Sequence, residues 1–67
     1  MELPKVGDIL VKKMHYAQVF VINNDYDFLK VTNHDMMLCI GYNCSDVAVM
    51  TSNGFVGYIN NECIVIL

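Results

Sequence analysis

Three observations predict an all-β fold for this chain. Val and Ile dominate its apolar runs, and 55% of all residues are apolar. Branching at Cβ costs side-chain freedom in a helix and suits a pleated surface. The runs are short, several alternate with a period of two, and Asn, Asp and Gly separate them as turn formers.

The elements follow in order. "DILVKK" (Asp8 to Lys13) is a short strand that ends in charge, as edge strands do. "AQVFVIN" (Ala17 to Asn23) is a stronger strand, and "NNDYD" turns the chain. "FLKVTN" alternates, with Leu29 and Val31 on one face, and "NHD" makes the next turn. "MMLCIGY" puts Met36, Leu38 and Ile40 on one side; after "NCSD", "VAVMT" points Val47 and Val49 inward and Ala48 and Met50 outward. Asn53-Gly54 is the sharpest local signal, because both residues tolerate positive φ at the centre of a hairpin turn. Val47 to Thr51 is therefore expected to pair antiparallel with Phe55 to Ile59. "INNE" suits a single 3₁₀ turn, and "CIVIL" closes the chain as a strand with Ile64 and Ile66 facing one way. Five or six such strands in one short chain curl into a small, partly open barrel with no helix of useful length.

Size and charge narrow the function. Sixty-seven residues make one domain, and a chain so short buries only about 60% of its unfolded surface. The net charge is −3, with four Lys and no Arg, too few cations to track phosphates or an anionic membrane. No run approaches the ~18 apolar residues of a membrane span. The expectation is a cytoplasmic protein that binds neither nucleic acid nor membrane. Cys39, Cys44 and Cys63 are odd in number, which argues for reduced thiols, with Cys39 and Cys63 in apolar stretches as small buried hydrophobes. A zinc site built on Cys39, Cys44 and His15 or His34 lacks the paired spacing such sites use, so no metal or cofactor is expected. His15 and His34 are the only imidazoles, and Cys44 has no cation nearby in sequence to activate it, so the chain reads as non-enzymatic. Met36, Met37 and Met50 read as core fillers.

The closing segment "SNGFVGYINNECIVIL" resembles the end of Src homology 3 domains, which typically reads "S-N-G-x-x-G-Y-I-P-S-N-Y-V". Asn53, Gly54, Gly57, Tyr58 and Ile59 match in place and spacing. Upstream, "LKVTNHDMMLCI" is similar to "L-S-F-K-K-G-D-I-L-E-V-L", through Leu29, Asp35, Met36 and Ile40, and "AQVFV" falls at the family's "A-L-Y-D-Y". The resemblance covers residues 17–67, which makes residues 1–16 an N-terminal extension or edge strand. A second registration is open, in which "KVGDIL" (Lys5 to Leu10) carries the "G-D-I-L" signature instead. Small barrels of the Tudor and transcription-elongation types also begin with a "V-G-D-x-V" strand.

The resemblance implies a fold that grips proline-rich peptides in a groove of aromatic rings, yet those rings are largely missing. Val19 and Val21 replace two Tyr, Asp46 or Val47 falls near the groove Trp, Asn60 replaces the Pro, and Cys63 replaces the last Tyr. The acidic loop survives: Asp25 and Asp27 flank Tyr26 where the family pairs a ligand's basic residue. The expected function is a non-catalytic interaction module that binds a protein or basic peptide through Val21, Asp25, Tyr26, Asp27, Asp46, Asn60 and Cys63 and a barrel edge. An uncovered edge also invites a second copy of the chain. The alternative is a small stand-alone regulatory protein, for example phage- or virus-encoded, that blocks a host factor.

Overall fold

A computed structural model describes residues 3–14, 19–22 and 28–67, with backbone only for 19–22 and 28. Seven strands follow one another: β1 (Ile9–Lys12), β2 (Val19–Ile22), β3 (Phe28–Val31), β4 (Met36–Asn43), β5 (Asp46–Thr51), β6 (Val56–Asn60) and β7 (Ile64–Ile66). A 3₁₀ turn, Asn61–Cys63, sits between β6 and β7, as the polar "INNE" requires. The fold is all-β, with one strand more than the upper expectation.

The strands form one sheet in the order β3-β2-β6-β5-β4-β1-β7, and every adjacent pair is antiparallel. Buried Leu10 of β1, Val31 of β3, Val49 of β5 and Ile59 of β6 belong to one core cluster. In a flat sheet β1 and β3 would lie about 24 Å apart at the ordinary strand spacing, too far to share a core. The sheet must therefore curve around it. Met37, Cys39, Val47 and Ile64 complete the cluster, and Phe55, Cys63 and Ile66 pack against it.

Alternation within each strand decides which side chains enter that interior. Val47 and Val49 are buried as their spacing predicts, and Ile64 and Ile66 share a side, with Val65 exposed between them. The methionines split. Met37 is buried as a core filler and Met50 points outward as the alternation of "VAVMT" predicts, but Met36 is exposed, so neither it nor Met50 fills the core. They stand in apolar runs where period two, not hydrophobicity, sets the direction.

β1 also departs from expectation. It lies between β4 and β7 instead of at an edge, pairing Leu10 with both Met37 and Ile66. The charged end that suggested an edge is accommodated because Lys12 buries its stem and donates from Nζ to the Lys13 carbonyl at 3.1 Å. A charged tip reports where the side chain ends, not whether the backbone ladder is occupied on both sides.

Two turns share one hydrogen-bond pattern and each launches a strand. In "KVGD" the Asp8 carboxylate accepts from the Lys5 N–H at 2.8 Å, while the Asp8 N–H donates back to the Lys5 carbonyl. "TNHD" repeats this, with Asp35 accepting from the Thr32 N–H at 2.7 Å and donating to the Thr32 carbonyl. In both, the Asp carboxylate reaches back three residues to the first N–H of the turn, one of the local side-chain-to-backbone bonds that favour Asp in turns. The two "D-I-L"-like segments are thus equivalent locally, and β1 and β4, which they begin, pair with each other.

The β5–β6 hairpin forms in the expected register, with Val47 opposite Ile59 and Val49 opposite Gly57. Its turn differs in type. The Gly54 N–H bonds the Thr51 carbonyl, and Gly54 takes φ +87 while Asn53 stays at negative φ. This is a type I turn closed by a left-handed glycine, the usual three-residue hairpin, in place of a two-residue one. Thr51, buried at the hairpin's end, has its hydroxyl against Asn53 Oδ1, and accepts from the Phe55 N–H at 3.2 Å.

Candidate functional site

The site is built where the β4–β5 turn meets the 3₁₀ turn. Cys44 and Ser45 connect β4 to β5, with Asn43 opposite Asp46. Across β5, Asp46 stands opposite Asn60. The Asn60 side chain caps the 3₁₀ turn by accepting from the Glu62 N–H at 2.8 Å. The Asn61 N–H reaches the Ser45 carbonyl at 3.3 Å, which ties the two turns together. Between them and Leu3 opens a groove of about 510 Å³.

A β-bulge decides what lines this groove. The β4–β5 register slips between Cys39 and Gly41, leaving Ile40 as the extra residue. Had β4 run on regularly, Gly41 would follow Met37 and Cys39 onto the core side and Tyr42 would face out. The slip instead sets Gly41 opposite Ala48, on the outer face, and Tyr42 opposite inward-facing Val47. Tyr42 therefore carries its ring to the open end of the core side, where it is 51% exposed. Leu3 is also exposed, and Val47, fully buried, forms the floor.

Among the described residues, the charged ones lining the groove are Asp46 and Glu62, both acidic. Half-exposed apolar surface flanked by two carboxylates and the Asn60 and Asn61 amides can take an apolar side chain with a cation beside it. Among the described residues, no cluster of His, Cys, Asp or Glu has the form of a metal site, and no helix is long and apolar enough to cross a membrane.

Of the residues expected from sequence, Asp46 and Asn60 line the groove together. Cys63 does not; it turns toward the core at the end of the 3₁₀ turn. Val21 lies on β2 opposite Leu29, its side chain outside the described atoms. Asp25, Tyr26 and Asp27, like His15, lie outside the described residues. Leu3 and Glu62 were not expected. Glu62 carried a signal in its position directly after the capping Asn60-Asn61 pair. Leu3 carried none, because its place depends on the chain's return over β4 and β5.

Cysteine chemistry at the site follows from exposure. Burial raises the Cys63 thiol above its ordinary 9.0, Glu62 adds to the rise, and Lys13 and Lys12 act against it. The stability tied to that thiol is thus complete below pH 9.0 and is lost as pH rises through the higher folded value. Iodoacetamide at neutral pH is expected to modify Cys44 first, Cys63 more slowly and fully buried Cys39 only on unfolding. Peptide mapping of the alkylated protein checks the order, and early labelling of Cys39 contradicts it.

The chain matches no family model, no curated protein and no solved structure.

Proposed function

We propose that this chain is a non-catalytic protein-interaction module with a barrel of the Src homology 3 kind, and that its groove holds a short basic segment of a partner protein. The observation that carries this reading is the pairing of half-exposed Tyr42 and Leu3 with the carboxylates of Asp46 and Glu62 in one groove. An aromatic anchor beside unpaired carboxylates favours an apolar side chain followed by Lys or Arg. The curved sheet, and a 3₁₀ turn directly before the last strand, support the fold part of the reading. The acidic stretch from Asp25 to Asp27 joins the proposal through its charge. The family's peptide-groove rings, replaced here at Val19, Val21 and Cys63, argue against proline-rich ligands, whose affinity should be no tighter than about millimolar.

The test is a titration of short peptides carrying an apolar–Arg pair, read by chemical-shift changes in the full chain. Binding should perturb Tyr42, Asp46 and Glu62, weaken as salt rises, and fall about tenfold in Asp46→Lys. Peptides that bind Asp46→Lys and Tyr42→Ala as well as the native chain would place the interaction elsewhere. Tighter binding of a proline-rich peptide lacking basic residues would contradict the charge assignment.

A further inference from the structure

The β5–β6 turn carries a chemistry independent of the groove. Of the chain's asparagines, only Asn53 stands before a glycine. With no Cβ, Gly54 leaves its own backbone nitrogen unhindered, and open space lies where a Cβ would stand. Such a nitrogen can attack the asparagine side chain. The Gly54 nitrogen bonds to Cγ of Asn53, its proton and the side-chain Nδ2 group leave as ammonia, and a succinimide ring forms. Water then opens the ring at either carbonyl, giving aspartate or isoaspartate. Asn53 and Gly54 are both exposed, so water and base reach them.

The folded turn holds the reacting atoms away from this path. The Gly54 N–H donates to the Thr51 carbonyl at 2.9 Å. Oδ1 of Asn53 accepts from the Thr51 hydroxyl and, at 3.4 Å, from the Phe55 N–H, which fixes the side-chain amide against the hairpin's end. Asn53 is the third residue of the type I turn, where ψ stays at about 0°. That angle eclipses the Gly54 nitrogen with the nitrogen of Asn53 itself and turns it away from the side-chain branch. Thr51 anchors the clasp, since it is buried and pairs with Met37 of β4. We propose that Asn53 is a deamidation site gated by opening of the β5–β6 turn, so that its conversion records how often this hairpin opens. The product acts back on the gate. Isoaspartate inserts a further carbon into the main chain of a three-residue turn, and a converted hairpin therefore opens more readily. Because Val47, Val49 and Ile59 of the core stand on these two strands, loosening the hairpin loosens the core with it.

The test incubates the full chain at mildly alkaline pH, folded in buffer or unfolded in urea, and maps it by peptide mass spectrometry with aspartate and isoaspartate separated. In urea, Asn53 should convert before the other asparagines. In the folded chain it should convert at least about tenfold more slowly, the effect of an opening free energy of ~1.4 kcal/mol. Thr51→Val removes the hydroxyl and keeps the β-branched shape, so it should raise the folded rate and leave the urea rate unchanged. On the unmodified protein, hydrogen exchange at the Gly54 N–H should be slowed by the same factor as conversion, which keeps the test decisive if the variant fails to fold. Equal rates in the folded and unfolded chain would overturn the proposal, as would earlier conversion of another asparagine in urea. A folded Thr51→Val that converts no faster than the native chain would overturn it too, because the clasp would then hold nothing back.

Discussion

Leu10→Ala is expected to lower the stability of the fold by about 3 kcal/mol, within the range for buried leucines truncated to alanine. Leu10 is fully buried and pairs at once with Met37 of β4 and Ile66 of β7, so little around it can collapse into the space left. A chain of this length has on the order of 3–10 kcal/mol in total, so the variant should lose much of its cooperative unfolding transition. Val6→Ala is the control. Val6 is 68% exposed, and its truncation should change stability by no more than about 0.5 kcal/mol. Urea unfolding measures both. A Leu10→Ala midpoint equal to the native one would mean that β1 is peripheral and the core does not need it.

Opposite signs are expected at two turn residues. Gly54 takes φ +87 with open space where a Cβ would stand, so the penalty for Gly54→Ala is conformational and not steric. A left-handed alanine costs about 1–2 kcal/mol, and the stiffer unfolded chain returns about 0.5–1 kcal/mol. The net loss is about 1 kcal/mol, or about 5 °C in Tm for a domain of this size. Cys44 is the reverse case, the one non-glycine residue at positive φ among those described, at φ 57. Cys44→Gly removes that strain but makes the unfolded chain more flexible, which leaves a gain of about 0.5 kcal/mol. Thermal unfolding of both variants checks the pair. Two shifts of the same sign would show that backbone conformation does not govern these turns.

Elements were more legible than faces. The strand over "VAVMT" and its partner past Asn53-Gly54 could be read because turn chemistry and alternation agree there. The run "MMLCIGY" is apolar at nearly every position, so it marked a strand but did not say which methionine enters the core. The same ambiguity hid the outward apolar row of Ile9, Leu38, Met50 and Val56, which reading residue by residue turns into core. At the groove, Asp46 and Asn60 were legible through the resemblance, since matched positions bring them to one place. The ring of Tyr42 was not placeable, because one extra residue at Ile40 reverses its side, and no side chain in the run announces a bulge.

The residues alone were enough for the fold class, the order of strands and turns, the late hairpin register and the acidic, Lys-poor character of the chain. Those properties depend on neighbours in sequence: Cβ branching, the conformations open to Asn, Asp and Gly, and a sum of charges. Tertiary structure decided that β1 is an inner strand, that Leu3, Tyr42 and Glu62 share a groove, and that Ile9, Leu38, Met50 and Val56 come into one outward row across four strands. Each of these depends on pairings between segments far apart in the chain. A one-residue slip in such a pairing exchanges inside for outside without altering any local preference.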